Sequence, residues 1–317
     1  MSAIKRLPGK NNAWLLALGL VIVAGLGETG TVWAQQVTLA WKLRPGEVFY
    51  YLVDTDVTTT AGPAGAENTV RTRLVMLHRY EVVQKTNEGF VLEQTVEEVL
   101  TNDPGLLGNL YNQFRGLKLK ITFDPSFRVR KIEGQEELYK RLGADDPVTG
   151  KFVAEMVSEN ALRQQIQSEF NFLPDKPVQP GDKWQRQISF AVGPMGTLTL
   201  DQTLTYQGTT TVGGKVLDRI ETSARATFTP PKPNDDFPVR ITKGEVQADQ
   251  LKGTYLFDRE AGRLVSAQWE GRFKFKLTVS AGKPDASKEF VMELTQHQIN
   301  RSEVSSERPR LPEIRKP

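Results

Sequence analysis

Long stretches of this sequence alternate between apolar and polar residues. The clearest one covers residues 269–279. Its apolar or glycine positions are Trp269, Gly271, Phe273, Phe275, Leu277 and Val279, and the polar positions between them are Glu270, Arg272, Lys274, Lys276 and Thr278. Residues 197–206 alternate in the same way. Because successive side chains of a β-strand point to opposite faces, such runs predict antiparallel strands with one buried face and one solvent-facing face. The chain is therefore predicted to be mostly β.

A second pattern divides the β regions into two similar halves. Pro45-Gly46-Glu47 is followed by Phe49, and Pro180-Gly181-Asp182 is followed by Trp184. Further matches keep the same order: "AGPAG" from residue 61 with "VGPMG" from residue 192, the run from Tyr80 with the run from Tyr206, and Phe123-Asp124 with Phe257-Asp258. The spacing between matched residues changes mainly where loops are expected, which favours an internal duplication. The alternative is that Gly, Pro and Asp recur at the turns of any β protein.

Between the halves the apolar residues take up the period of a helix. Residues 134–143 predict a short helix, and Asp146-Pro147 predicts the start of a second one. The second helix has an apolar stripe: Phe152, Val153, Met156, Val157, Ala161, Ile166 and Phe170. We therefore predict a large curved antiparallel sheet or incomplete barrel, built from two similar halves, with central α-helices packed on it. The predicted segments are a signal peptide (1–34), a first β half (35–134), a helical insert (135–173), a second β half (174–300) and a polar tail (301–317).

The first residues have the three-part layout of a secretory signal. A basic start is followed by an apolar run over residues 13–27 and by a small-residue cleavage site, which predicts cleavage between Ala34 and Gln35. A membrane anchor is the alternative, but the apolar run is short for a span of ~20 residues. We therefore expect an exported protein, periplasmic or extracellular, with no transmembrane span in the mature chain.

Composition narrows the function classes. The chain has no cysteine, which excludes disulfides, thiolate metal sites and cysteine nucleophiles. Removal of the signal takes away Lys5, Arg6, Lys10 and Glu28, and leaves 38 basic and 37 acidic side chains. This balance argues against nucleic acid as a partner.

Two motifs behind the signal carry a resemblance to a known family. The first is Gly46-Glu47-x-Phe49, and the second is Leu173-Pro174, Pro177-Val178 and Gly181-Asp182-x-Trp184. In this order they resemble an uncharacterised family of exported bacterial proteins that is defined by a domain of unknown function. The resemblance covers roughly residues 37–300 and implies a compartment and a class of fold, but no activity. At the level of fold alone, the pattern is similar to envelope lipid carriers, in which a curved antiparallel sheet wraps a helix.

Residues that could carry catalysis or bind a metal are few and scattered. The two histidines, His78 and His297, lie in different strand runs. We interpret them as ordinary strand residues, and a metal-binding pair is the alternative. Adjacent carboxylates occur at Glu97-Glu98, Asp145-Asp146 and Asp235-Asp236. Neighbouring residues of a strand face opposite sides of the sheet, and pairs in loops are expected to be solvated, so these pairs do not predict a catalytic site. Asp124 and Asp258 directly follow strand runs and are interpreted as turn residues. We predict no catalytic residue, no metal ligand and no cofactor.

Two groups of side chains leave a binding role open. Basic residues on the polar side of strands could meet an anionic lipid or glycan, or form a solvated face: Lys118, Lys120, Arg272, Lys274 and Lys276. Three tryptophans, Trp41, Trp184 and Trp269, could line a cavity or form ordinary core.

Three classes of function follow. A non-enzymatic interaction or scaffold module of the envelope is the leading hypothesis, with an envelope lipid or another envelope protein as partner. A carrier or sensor for a lipid or other apolar ligand in the concavity of the sheet is the alternative, and an enzyme is the third. The ligand-binding residues are not identified by the sequence.

Overall fold

The predicted strands are present and join edge to edge in one sheet. The computed structural model describes residues 36–62, 67–142, 157–191, 196–231, 239–281 and 288–314. Within these, the strands are β1 Val48–Ala61, β2 Asn68–Thr86, β3 Gly89–Thr101, β4 Lys118–Phe123, β5 Val129–Glu133, β6 Lys183–Ala191, β7 Thr197–Val212, β8 Lys215–Thr229, β9 Val239–Asp258, β10 Arg263–Ala281 and β11 Lys288–Ser305. The helices are α1 Leu106–Asn112, α2 Gln135–Arg141 and α3 Glu159–Phe170.

Every strand pairs antiparallel with its neighbours. The order across the sheet is β5-β4-β3-β2-β1-β11-β10-β9-β8-β7-β6, and the two edge strands β5 and β6 do not pair with each other. The sheet is therefore curved but unclosed, and the predicted fold class, mostly β with few helices, is confirmed. The predicted cleavage site at Ala34 and Gln35, and the helix residues Phe152, Val153 and Met156, lie outside the described residues.

The alternating run on β10 has the orientation predicted for it. Phe273, Leu277 and Val279 are buried, while Arg272, Lys274 and Lys276 between them are exposed. Burial of one face removes apolar side chains from water, which stabilises the fold by ~25 cal/mol for each Å² buried. We call the face that carries the buried side chains the core face, and the opposite side the outer face.

Helix α3 packs on the core face, where it contacts both edge strands of the sheet, β5 and β6. The Ser158 side chain accepts a hydrogen bond from the Ala161 backbone N–H at 3.3 Å and so caps the helix. Leu162, Ile166 and Phe170, spaced four residues apart, are buried in the main hydrophobic core. The Trp41 indole N–H donates to the Phe170 carbonyl oxygen at 3.0 Å. This core fills the space between the helix and the sheet.

The repeated Pro-Gly-acid sequence forms the same turn in both halves. Glu47 N–H donates to the Arg44 carbonyl at 3.0 Å, and Asp182 N–H donates to the Gln179 carbonyl at 3.0 Å. The central glycine of each turn has a positive φ, 80° at Gly46 and 95° at Gly181. This is a type II turn, which needs glycine at its third position because other residues are strained there. The motif is thus a turn that starts the first strand of each half.

The two halves share one bulge, although β2 and β3 have a second one, at Leu77/His78, that β7 and β8 lack. Pairing between β2 and β3 shifts at Val82/Gln84, and pairing between β7 and β8 shifts at Tyr206/Gly208. Gly46 N–H donates to the Val82 carbonyl at 2.8 Å, as Gly181 N–H does to the Tyr206 carbonyl at 2.8 Å. Tyr206 therefore occupies the place of Val82. The sequence match of Tyr206 with Tyr80 is wrong by two residues, because the matching side chains do not mark matching backbone positions.

The residues Phe123-Asp124 and Phe257-Asp258 end the fourth strand of their respective halves. Asp124 accepts hydrogen bonds from the Ser126 and Arg128 backbone N–H groups, both at 2.9 Å, and Asp258 accepts one from the Ala261 N–H at 2.8 Å. Backbone and side-chain hydrogen bonds hold the pKa of both carboxyls below the usual value. Both aspartates shape turns, as their position after a strand indicates.

Candidate functional site

Residues 306–314, near the C-terminus, lie on the outer face of the sheet. Strand β11 runs to Ser305 and so includes the first five residues of the predicted tail, and the C-terminal segment, residues 306–314, follows it. The Arg308 guanidinium donates to Glu97 at 3.0 Å and to Glu98 at 2.9 Å. Near the other end of the segment, the Glu313 carbonyl accepts a hydrogen bond from Arg73 at 3.2 Å. The segment is thus attached to β3 at one point and to β2 at another.

Between the C-terminal segment and the sheet lies a cavity of about 980 Å³, which we call the outer cavity. Strands β1, β9, β10 and β11 supply one set of its lining residues, Leu52, Asp54, Thr254, Leu256, Val265, Ser266, Ala267, Gln268, Arg301, Ser302 and Glu303. The C-terminal segment supplies Arg310, Leu311, Pro312 and Glu313. The strands and the C-terminal segment therefore line this open space together.

Strand register sets the floor of the outer cavity. Leu52 and Asp54 alternate with Tyr51 and Val53, which belong to the core, so they point outward. Two rows then cross the outer face at the usual spacing of ~5 Å for each strand. The first row is Leu52, Glu303, Ser266 and Leu256, and the second is Asp54, Arg301, Gln268 and Thr254. On β2 the rows continue into Leu77 and Val75, both buried.

The charged groups of the outer cavity differ in their partners. Asp54 is held by the Arg73 guanidinium through two hydrogen bonds of 2.9 and 2.7 Å. The side chains of Arg301, Arg310, Glu303 and Glu313 form no ion pair with any of the described residues. Exposed unpaired charges beside apolar walls could bind the polar part of a ligand.

A second, smaller cavity of about 450 Å³ adjoins the first on the outer face. It is lined by Arg219, Glu221, Thr222, Lys252, Gly253, Thr254, Gln268, Trp269 and Glu270, so Thr254 and Gln268 belong to both cavities. Arg219 pairs with Glu221 at 2.8 Å, and His297 Nε2 lies 2.7 Å from Glu270 Oε1. The hydrogen bond from His297 lowers the pKa of Glu270. We call this space the polar cavity.

On the core face, a chain of polar side chains runs beneath α3. The Tyr80 hydroxyl donates to Glu169 at 2.7 Å and accepts from Gln94 Nε2 at 2.7 Å, while Gln94 Nε2 lies 2.9 Å from His78 Nδ1. Burial raises the pKa of Glu169 to about 7 and lowers the pKa of His78 to about 4. No cation among the described residues forms an ion pair with Glu169. Glu169 can therefore carry a proton near neutral pH.

The sequence alone did not identify Glu169, although it contained a signal. Glu169 lies three residues after Ile166 and seven after Leu162, so it falls on the apolar stripe that faces the sheet. A carboxyl at such a position is expected to be buried or partnered. The outer cavity gave no local signal, because its walls come from five separate segments.

The structure does not bring the two histidines together. His78 lies opposite Tyr51 on β1 and His297 lies opposite Thr58, seven residues further along the strand, which corresponds to ~23 Å. They also lie on opposite faces. Among the described residues, no group of three His, Asp or Glu side chains is arranged to hold a metal ion.

The carboxylate pairs and tryptophans have ordinary partners where the structure describes them. Glu97 and Glu98 both bind Arg308, and the pairs at 145–146 and 235–236 lie outside the described residues. Trp41 is part of the main core and Trp184 packs against it, partly buried, whereas Trp269 packs, also partly buried, against a separate cluster around Phe273. Lys118 and Lys120 are exposed on β4, as the basic residues of β10 are. No helix in the described part of the chain is both long and apolar enough to cross a membrane.

A family model covers more than half of the chain. The model of DUF6263, a family of unknown function, matches residues 77–258. The chain belongs to this family. The resemblance to a domain of unknown function is thereby confirmed, and the DUF6263 match identifies no enzymatic activity. No curated protein sequence matches the chain.

Solved structures show distant likeness only. Lipovitellin, described for its lipid–protein interactions, has a TM-score of 0.42 and 11% identity over 87% of this chain, which spans 27% of the lipovitellin chain. An outer membrane channel from Pseudomonas putida F1 has a TM-score of 0.20 and 9% identity, covering 84% of this chain and 98% of the channel. A putative outer membrane lipoprotein-sorting protein domain from Vibrio parahaemolyticus has a TM-score of 0.14 and 9% identity, with 80% and 83% covered. None of these is close enough to assign a role to this DUF6263 member.

Proposed function

We propose that this DUF6263 member is an exported, non-enzymatic binding protein of the cell envelope, and that it holds a lipid or similar amphiphile in the outer cavity. The observation that carries the proposal is the cavity of about 980 Å³ between the C-terminal segment and the sheet. Its size lies at the upper end of the range of ~300–1,000 Å³ that small-molecule sites occupy.

The walls of the outer cavity suit a ligand that is partly apolar. Leu52 and Leu256 stand on the floor, and Leu311 and Pro312 face them from the C-terminal segment. Burial of an acyl chain against such walls is favourable by ~0.8 kcal/mol for each CH₂ group. Arg301 and Arg310 line the same cavity and would meet a polar headgroup.

The proposed ligand site lies on a different face of the sheet from the one that the sequence suggested. The carrier hypothesis placed the ligand in the concavity of the sheet, but α3 and the main hydrophobic core occupy that side near the helix. The outer cavity lies on the opposite face, so a ligand there needs no rearrangement of the core. Glu169, with its pKa near neutrality, also lies away from this cavity, which supports binding rather than acid–base catalysis.

We also propose that the protein is exported and that its two β halves arose by internal duplication. The basic start, apolar run and small residues before Gln35 support export with cleavage after Ala34. The matching turns, bulges and strand order of β1–β5 and β6–β10 support an internal duplication, with β11 as an addition that joins the halves.

The proposal is tested by blocking the outer cavity. Ser266 lies on its floor, and Ser266→Trp should fill part of the space and reduce binding of a fluorescent fatty acid at least tenfold. Lys274→Trp places the same side chain at an exposed outward position of the same strand β10 and should bind like the parent. Urea unfolding of each variant separates loss of binding from loss of fold.

Native mass spectrometry of the protein purified from its own envelope gives an independent test. A co-purifying lipid that is absent from Ser266→Trp is the expected result. If the parent protein carries no lipid and the folded protein binds no fatty acid, the proposal is wrong and the interaction or scaffold hypothesis takes its place.

A further inference from the structure

The outer and polar cavities form one continuous surface. They share Thr254 and Gln268, which are paired neighbours on β9 and β10. The outer cavity has aliphatic walls, whereas the polar cavity is lined mainly by charged and amide side chains. An amphiphile lying across the two would place its chain in the first and its headgroup over the shared residues.

Two cations near the shared residues form no direct ion pair with a described residue. Each carboxylate nearest to the shared residues already has a hydrogen-bonded partner: Asp54 has Arg73, Glu221 has Arg219, and Glu270 has His297. These cations are Arg301 and Lys252, and their charges act at longer range to help lower the pKa of Asp56 and of Glu270, respectively. Glu303 also forms no ion pair with a described residue, but it stands one row away from Gln268, on the aliphatic side of the surface.

Strand register brings these two cations to the same place. Arg301 lies directly opposite Gln268, and Gln268 lies directly opposite Thr254. Lys252 follows on the same face of β9, two residues from Thr254. The backbones of Arg301 and Thr254 are therefore ~10 Å apart, and long side chains from both sides can reach a group placed between them.

On the proposed function of the outer cavity, we propose further that the ligand carries a phosphate group, bound over Gln268 and Thr254 by Arg301 and Lys252. A phosphate presents several acceptor oxygens and a charge that two cations can share, and Arg and Lys are its usual protein partners. The Gln268 amide and the Thr254 hydroxyl add neutral donors to the same group. The ligand class is thus a phosphate-bearing amphiphile.

The test uses three probes that share a chain and differ in headgroup: dodecyl phosphate, dodecanoate and dodecyl maltoside, each kept below its micelle-forming concentration. Glycerol 3-phosphate supplies the phosphate without the chain. Isothermal titration is expected to show dodecyl phosphate binding at least tenfold tighter than the other three. Lys252→Gln and Arg301→Gln should each lower its affinity by about tenfold, since each removes one charged hydrogen bond. Lys274→Gln, exposed on β10, is the control and should change nothing.

The outcomes separate this inference from the proposed function. Equal binding of the three chain-bearing probes, with no effect of Lys252→Gln or Arg301→Gln, overturns the phosphate assignment but leaves amphiphile binding intact. Dodecanoate binding as tightly as dodecyl phosphate overturns it too. Glycerol 3-phosphate binding as tightly as dodecyl phosphate shows a free-phosphate site independent of the apolar walls. Failure of all chain-bearing probes to bind the folded parent overturns the proposed function itself.

Discussion

Glu169 gives the stability of this protein a pH dependence that one substitution should remove. Its carboxyl lies beneath the sheet-facing side of α3, and its hydrogen-bond donor is the neutral Tyr80 hydroxyl. Burial raises the pKa from 4.5 to about 7. The folded protein therefore keeps this proton over a range in which the unfolded chain has lost it, so the group favours folding at low pH and the benefit is lost as pH rises through about 7.

The size of the effect follows from the shift. At ~1.36 kcal/mol for each pKa unit, the shift weakens folding well above pH 7 by at most about 3 kcal/mol relative to low pH, and most of this change falls between pH 5 and pH 8. Glu169 is partly buried, and its residual exposure makes these values upper limits. Glu169→Gln keeps an acceptor for Tyr80 and carries no titrating proton. We therefore expect the parent to lose about 1–2 kcal/mol more than the variant between pH 5 and pH 8.

The assay is urea unfolding of both proteins at pH 5 and pH 8, compared as a difference of differences. The contributions of other titrating groups to the free energy of unfolding are equal in parent and variant and therefore cancel. Any effect of the amide that does not depend on pH cancels too. Glu159→Gln is the matched control, because Glu159 is exposed on the same helix and pairs with Arg163 on the surface. If Glu169→Gln and the parent change by the same amount between the two pH values, the burial argument is refuted.

Two further predictions concern the core and the turns. Phe170→Ala should destabilise the protein by ~3–5 kcal/mol in urea unfolding, because it removes a buried ring whose centroid lies 5.2 Å from that of Trp41. A loss below ~1 kcal/mol would mean that α3 contributes little to the core. Gly46→Ala and Gly181→Ala should each cost ~1–2 kcal/mol, since a new Cβ meets no atom within 4 Å and only the positive φ opposes it. Unequal costs in the two turns, measured by thermal unfolding, would contradict their equivalence.

The sequence predicted those features of the fold that depend on neighbouring residues. Alternation over residues 269–279 gave the correct burial for Phe273 and the correct exposure for Lys274, because a two-residue period is a local property of the strand. Pro45 and Gly46 correctly predicted a turn, because the geometry of a turn is also a local property of the chain. The match between Tyr80 and Tyr206 failed, since it compared side chains without knowing where β2 and β7 bulge.

The candidate site could not be predicted, because its parts are distant in sequence. Arg308 reaches Glu97 across 211 residues, and this contact helps to hold the C-terminal segment on the outer face. A polar tail without periodicity is typical of a frayed end, and nothing within it shows that the sheet offers partners. Arg301 and Gln268 become neighbours only through the register of β11 on β10.

The two faces of the sheet have different roles, so stability and ligand binding can be tested separately. Substitutions at Phe170 or Glu169 act on the core face and should change stability, whereas those at Ser266, Lys252 and Arg301 act on the outer face of the same sheet. The outward residues make few core contacts, so a surface substitution there is expected to change stability by no more than ~0.5 kcal/mol. Binding can therefore be altered without unfolding the protein. A loss of binding in Lys252→Gln that accompanies a large loss of stability would instead mean that the outer face is part of the folding core and that the cavity is not a separable ligand site.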